Sequence, residues 1–148
     1  MTNQSIKYLI HTDGGSRGNP GPAAIGVVIE KSGGGPKHEY GEFLGHATNN
    51  EAEYKAVIFA LKKLKQLIGK EEAKKAQLEI DVDSELLTRQ VNGQYKIVDE
   101  KIQKLFLELW NLKLDFGEVT VKHVRREENK EADRMVNYAL DKEQNKLL

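Results

Sequence analysis

Four carboxylates lie at positions in the sequence where an acidic side chain needs an explanation. Asp13 lies between a β-branched, aromatic run and a glycine-rich stretch that cannot continue a regular strand. Glu53 lies four residues before Val57 on the apolar stripe of a predicted helix, where a carboxylate is costly unless it meets a cation, a donor or a metal. Asp83 ends an alternating strand pattern, and Asp133 borders the apolar side of the last predicted helix. A tight hairpin capped by Asp13 is the alternative interpretation of the first position.

Hydrophobic periodicity defines the elements that must position these carboxylates. Thr48 or Asn49 is a suitable cap for a long first helix, with Gly69 as its stop, and Asp99 is a suitable cap for a later one. Phe106 and Trp110 fall at helical spacing and are expected in the core. The pattern predicts strands over Ile6–Ile10, Ala23–Lys31, Lys37–His46, Gln77–Asp83 and Glu118–Val124, and helices over Asn49–Ile68, from Ser84 to Val91, from Asp99 through Trp110 and after the loop Arg125–Asn129.

This order of elements predicts an α/β fold with a five-stranded mixed sheet. The first three strands form an antiparallel meander, and strands joined through helices are parallel because the crossover is right-handed. The expected sheet order is 3-2-1-4-5, with strand 2 antiparallel to its neighbours. Asp13 and Asp83 then end neighbouring parallel strands at the edge where open α/β sheets place their sites, and Glu53 and Asp133 can complete the group.

Four converging carboxylates predict a divalent metal site. Their mutual repulsion raises some pKa values unless cations intervene. Oxygen ligands without cysteine or a histidine pair favour Mg²⁺ or Mn²⁺ over zinc. Two such ions about 3.5–4 Å apart activate a water and stabilise the leaving oxygen of a phosphodiester, so the chemistry indicated is hydrolytic phosphoryl transfer.

Composition bounds the rest of the interpretation. The chain has 148 residues and fits one domain over 1–148, with a core at about 5–141 and a polar tail, 142–148, that we expect to fray. It has no cysteine and no apolar run of membrane length, so we expect a cytoplasmic protein without membrane contact. We also expect a monomer. Lys plus Arg and Asp plus Glu are each 23, so total charge gives no support for a nucleic-acid partner.

Four acidic motifs together resemble type 1 ribonuclease H over nearly the whole chain. They are Asp13-Gly-Gly-Ser-Arg-Gly-Asn19-Pro-Gly, Thr48-Asn-Asn-Glu-Ala-Glu53, Val82-Asp83-Ser84 and Asn129-Lys-Glu-Ala-Asp133. The resemblance implies that Asp13, Glu53, Asp83 and Asp133 are catalytic and hold two Mg²⁺ ions. It also implies cleavage of the RNA strand of an RNA–DNA hybrid, leaving 5′-phosphate and 3′-hydroxyl ends.

The same resemblance implies a set of substrate contacts that do not read base sequence. Asn19, Thr48, Asn49 and Asn50 match positions that hold the hybrid, and such polar groups suit sugar and phosphate recognition. Asn19 is also a turn residue, and Thr48 and Asn49 are also helix caps, so each can serve both roles. The Gly14 amide, in a turn that can face a phosphate, is a further candidate.

The chain departs from many relatives at two places. It lacks the Lys-rich, Trp-bearing protrusion after the second helix, and therefore resembles the compact form of the family. In the loop before Asp133, where many relatives have a mobile histidine, we expect Arg126 to take that place, with a nonspecific phosphate contact as the alternative. Arg125 is a further candidate contact, and His123 is interpreted as a strand-end residue.

Two other functions remain open at this stage. One is a non-catalytic domain that binds hybrids, and the intact acidic tetrad argues against it. The other is a different nuclease of the same superfold, such as a resolvase or integrase core. The length of the meander and the Thr48-to-Glu53 helix start favour ribonuclease H.

Overall fold

The computed structural model describes residues 6–146. Ser84 and Asp99 cap their helices as expected, since the Ser84 side chain accepts the Leu87 amide and Asp99 accepts two amides of its helix. The described elements are β1 (Lys7–Ser16), β2 (Gly21–Lys31), β3 (His38–Ala47), α1 (Asn49–Ile68), α2 (Lys70–Lys75), β4 (Gln77–Val82), α3 (Glu85–Val91), α4 (Glu100–Lys113), β5 (Glu118–His123), a 3₁₀ turn (Arg126–Glu128) and α5 (Lys130–Asn145).

The sheet confirms the predicted order β3-β2-β1-β4-β5. β2 is antiparallel to both of its neighbours, whereas β1, β4 and β5 are mutually parallel. β1 is longer than predicted, because it stays paired with β2 as far as Ser16, opposite Ala23. Its parallel pairing with β4 stops at Thr12, opposite Val82. Asp13 is therefore not at the end of its strand, but it is the first residue beyond the parallel pairing.

The helices α1 and α5 pack on opposite faces of the sheet. α1 packs on one face and buries Tyr54, Leu61 and Leu64 in the main core. α5 packs on the other face over β1, β2 and β3. Its approach is close, since a Cβ on Gly26 of β2 would lie 2.0 Å from the Ala132 carbonyl oxygen. This close packing places the start of α5, and with it Asp133, over the central strands.

Two further local predictions were wrong, and one short helix was not predicted. A short helix, α2, follows Gly69, whose φ of 88° turns the chain so that Ala73 is buried. Trp110 is not in the core: its side chain is 45% exposed and stacks on Phe106. Residues 142–145 do not fray but continue α5. The expectations for residue 5 and for Leu147 and Leu148 lie outside the described residues.

Candidate active site

Three of the four predicted carboxylates converge at the carboxyl edge of the sheet. One ligand oxygen each from Asp13, Glu53 and Asp83 lie within 4.8 Å of one another. Asp13 comes from β1, Asp83 follows the last residue of β4, and Glu53 reaches over from the first turns of α1. Asp13 and Glu53 are buried, and Asp83 is partly exposed, so the group is open to solvent on one side.

Gly14 brings α1 against β1 at this point. A Cβ on this residue would lie 2.3 Å from the carbonyl carbon and oxygen of Ala52, a backbone clash that α1 could avoid only by moving away. The Gly14 N–H donates to Asp13 Oδ1 at 3.0 Å and also to Glu53 Oε1. In this structure the Gly14 amide is thus engaged with two carboxylates, and its predicted contact with substrate stays a prediction.

Burial and mutual repulsion give these carboxylates unusual acidities. Burial, together with the nearby charges of Asp83 and Asp133, raises the pKa of Asp13 to about 7. Burial and the adjacent Asp13 raise the pKa of Glu53 well above its ordinary range. At neutral pH the cluster therefore requires either bound protons or a cation, and a hard divalent ion fits a donor set made only of oxygen.

Asp133 joins this cluster from the first turn of α5. It lines the same open cleft of about 390 Å³ as the other three carboxylates. The start of α5 is held to β1 by Asn129, whose Nδ2 donates to the Thr12 carbonyl at 2.8 Å, and the Asp133 amide donates to the Asn129 carbonyl. Asn129 belongs to the fourth acidic motif, but the sequence alone did not predict this positioning contact. The burial that marks it, with Asn129 only 1% exposed, is visible in the structure alone.

Four of the residues predicted to contact substrate, Asn19, Thr48, Asn49 and Asn50, lie at or beside the start of α1, next to this cleft. The Thr48 side chain accepts the Glu51 amide and so caps α1, as expected. Asn49 Oδ1 accepts the Ser16 amide at 2.9 Å, and Asn19 Oδ1 accepts the Asn49 amide at 3.1 Å. These bonds tie the glycine-rich turn to the helix. Asn19, Thr48 and Asn50 also line a second open cavity of about 610 Å³ that extends to the start of α4.

The three loop candidates differ in their position relative to the cleft. Arg126, in the 3₁₀ turn, lines the carboxylate cleft. His123 is exposed at the end of β5, opposite Val82, as its alternation predicted. Arg125 is exposed and does not line the cleft around Asp13. The position of Arg126 is compatible with the predicted role, and that role stays a prediction.

A mixed sheet of this order with carboxylates at its carboxyl edge defines the ribonuclease H-like class of nucleases. A family model described as reverse transcriptase-like matches residues 11–139. The chain is 40% identical to LC11-RNase H1, a protein isolated from compost and solved in complex with an RNA/DNA hybrid, with a TM-score of 0.86. That match covers 93% of this chain and 99% of the other.

Relatives from two named organisms support the same family assignment. The ribonuclease H domain of a Mycobacterium tuberculosis protein is 32% identical, with a TM-score of 0.86, over 97% of this chain and 100% of that one. Ribonuclease HI of Halobacterium salinarum is 38% identical over 129 residues, which are 87% of this chain and 62% of the relative. The chain therefore belongs to the ribonuclease H family.

The comparisons also limit what carries over from whole proteins. The chain spans 62% of the length of the Halobacterium salinarum relative and 36% of the mycobacterial relatives. The family uses divalent metal ions, and the carboxylate cluster is compatible with them. Within residues 6–146, none of the helices is both long enough and apolar enough to cross a membrane.

Proposed function

We propose that this chain is an endoribonuclease that hydrolyses the RNA strand of RNA–DNA hybrids and leaves 5′-phosphate and 3′-hydroxyl ends. The observation that carries the proposal is the convergence of Asp13, Glu53 and Asp83 within 4.8 Å at the sheet edge of a ribonuclease H fold. The similarity to LC11-RNase H1, which was solved with an RNA/DNA hybrid, supports the substrate class.

Two Mg²⁺ ions are the proposed cofactors, and Mn²⁺ is the expected substitute. The fit rests on a donor set made only of carboxylate oxygens and on the raised pKa values of Asp13 and Glu53, which mark a concentration of negative charge. Asp13, Glu53, Asp83 and Asp133 would hold the ions. When bound, the ions supply an activated water and charge stabilisation at the leaving oxygen.

The remaining residues bind and orient the substrate. Asn19, Thr48 and Asn50 line the cavity beside the cleft and offer polar groups to sugar and phosphate, which gives binding without base readout. Asn49 is tied to the glycine-rich turn by three hydrogen bonds, so its backbone position is fixed before substrate arrives. Arg125, exposed in the loop before α5, is proposed as a further phosphate contact.

Arg126 has a different proposed role because it lines the cleft itself. An arginine does not release its proton near neutral pH, so it cannot act as a titrating base. Its guanidinium instead offers positive charge to the scissile or released phosphate. We propose that it assists product formation or release electrostatically.

The proposal includes three properties of the whole molecule. Residues 1–148 form a single ribonuclease H domain, the domain acts as a monomer, and it works in the cytoplasm. The shared core of the five strands supports the first. The absence of cysteine from the sequence suits a reducing compartment and supports the third.

Cleavage of an end-labelled hybrid tests the function directly. We expect RNA fragments with Mg²⁺ or Mn²⁺, none with chelator, and none from Asp13→Asn or Asp83→Asn variants that circular dichroism shows to be folded. Binding of the hybrid without cleavage by the wild-type chain would support the non-catalytic alternative. Unchanged turnover in either variant would refute the catalytic assignment.

A further inference from the structure

A polar pair lies directly behind the carboxylate cluster on the same two central strands. His11 of β1 and Asp81 of β4 stand opposite each other in the parallel register. The His11 Nε2 atom lies 3.5 Å from Asp81 Oδ2, so the two side chains are in contact across the strands. Two positions further along the chain, His11 is followed by Asp13 and Asp81 by Asp83. Side chains two positions apart on a strand share a face, so His11 points to the same face as Asp13.

Asp81 is a costly residue at this position. It is only 7% exposed, and its Oδ1 accepts no hydrogen bond from residues 6–146. A buried carboxylate without a full set of donors is destabilising. The His11 ring on one side and Lys122, opposite Asp81 on β5, are its polar neighbours across the two strands. Stability alone therefore does not account for a carboxylate here.

The position of the pair relative to the backbone pairing suggests what it does. The parallel ladder between β1 and β4 ends at Thr12 and Val82, one step beyond the pair. Past that step no β1–β4 backbone pairing in the described residues fixes Asp13 relative to Asp83. Their carboxylates repel each other, so the strand ends tend to separate. A contact between side chains of the two strands at the last steps of the ladder opposes that separation.

We propose that His11 and Asp81 are positioning residues that set the separation of Asp13 and Asp83 for metal binding. The inference rests on the proposed function in one respect, namely that Asp13 and Asp83 hold the divalent ions. His11 and Asp81 act through the strands and touch neither ion nor substrate. Misplacement of the two carboxylates weakens ion binding more than hybrid binding, because most of the proposed hybrid contacts lie at the start of α1 and not on β1 or β4.

Binding of Mn²⁺ without substrate tests this role separately from activity. Titration of free Mn²⁺ by electron paramagnetic resonance gives the affinity of the wild type and of His11→Phe and Asp81→Asn. We expect roughly tenfold weaker Mn²⁺ binding in both variants, the scale known for outer-shell partners of metal ligands. In cleavage assays the same variants need more Mg²⁺ for half-maximal rate, recover at high Mg²⁺, and keep the wild-type KM for the hybrid.

Two further variants separate positioning from general stability. His11→Gln retains a donor close to Asp81 and is expected to recover most of the Mn²⁺ affinity. Lys7→Met removes a different cross-strand contact between β1 and β4, the pair with Glu79 at 3.8 Å, six residues before Asp13. It is expected to leave Mn²⁺ binding unchanged.

The outcomes distinguish this inference from the proposed function. Wild-type affinity for Mn²⁺ in folded His11→Phe overturns the positioning role, as does an equal loss in Lys7→Met. A wild-type chain that binds no Mn²⁺ overturns it as well. If Mn²⁺ binding falls in His11→Phe but the wild type cleaves no hybrid, the nuclease assignment fails and the positioning role stands.

Discussion

Neutralising Asp13 is expected to stabilise the metal-free protein while abolishing its activity. Burial and neighbouring carboxylates raise the pKa of Asp13 from its ordinary 3.8 to about 7. A shift of about 3 units corresponds to about 4 kcal/mol of destabilisation by the ionised form at pH 8. The amide in Asp13→Asn must still find an acceptor, so we expect about half of this, ~2 kcal/mol. For a chain of this size that is a rise in Tm of about 4–8 °C.

The pH dependence gives the sign of the effect. Because the folded state binds the Asp13 proton more tightly than the unfolded state does, wild-type stability falls as pH rises from about 4 to about 7. The stabilisation by Asp13→Asn should therefore be near zero at pH 4 and complete at pH 8. Thermal unfolding in chelator across this range measures it, and added Mg²⁺ should stabilise the wild type far more than the variant.

Glu131→Gln is the matched control, because its acidity is shifted in the opposite direction. The Lys37 ammonium, 2.9 Å away, lowers the pKa of Glu131. Its stabilising contribution is present above its unfolded pKa and is lost as pH falls through its lower folded pKa. The control variant should lose a few tenths of a kcal/mol at pH 8, as exposed ion pairs do. Destabilisation of Asp13→Asn at pH 8, or a stability change independent of pH, would contradict the reasoning and make Asp13 a structural residue.

Three further predictions concern the residues around the cluster. Gly14→Ala should lower the free energy of unfolding, measured in urea, by about 1–3 kcal/mol and should slow cleavage, because its Cβ meets the α1 backbone at 2.3 Å. The control Gly15→Ala meets only a side chain, at 3.7 Å, and should be tolerated. Asn129→Ala should also lower the free energy of unfolding by about 1–3 kcal/mol, because it leaves the Thr12 carbonyl of β1 without its donor at 2.8 Å. Equal unfolding midpoints for this variant and the wild type would contradict this. Arg126→Ala should lower kcat more than it raises KM for the hybrid. If His123→Ala is the more damaging change, the histidine holds the loop role.

The sequence predicted most of the helices and strands, and it singled out the carboxylates that converge at the sheet edge. Local signals predicted helix starts at Thr48 or Asn49, at Ser84 and at Asp99, and the structure selects Thr48 for the first. Each signal depends on residues within three positions. The sheet order followed from chain order and crossover handedness, which are properties of the whole pattern rather than of single contacts. Glu53 was separated from its neighbour Glu51 by helical periodicity alone.

The errors arose where contacts between distant segments override local preference. Gly14 and Gly15 were expected to end β1, yet the strand continues because β2 returns beside them and α1 requires a residue without a side chain at Gly14. Trp110 has the spacing of a core residue, but α4 packs through Ile102 and Leu109 and leaves the indole partly exposed. Residues 142–145 are polar, and they stay helical as the continuation of α5.

Rigid contacts between the segments explain why the cluster stays repulsive instead of spreading apart. Gly14 joins β1 to α1 through an amide that donates to Glu53, 39 residues away, and Asn129 joins α5 to β1 across 117 residues. Both contacts use buried or close-packed backbone, so Glu53 and Asp133 cannot move away from Asp13 without breaking them. Burial, and after it the carboxylates that these contacts hold nearby, raises the pKa of Asp13. A site whose ligands cannot move apart binds a divalent ion more tightly than a flexible site does. The free energy needed to bring the charges together has already been spent in folding.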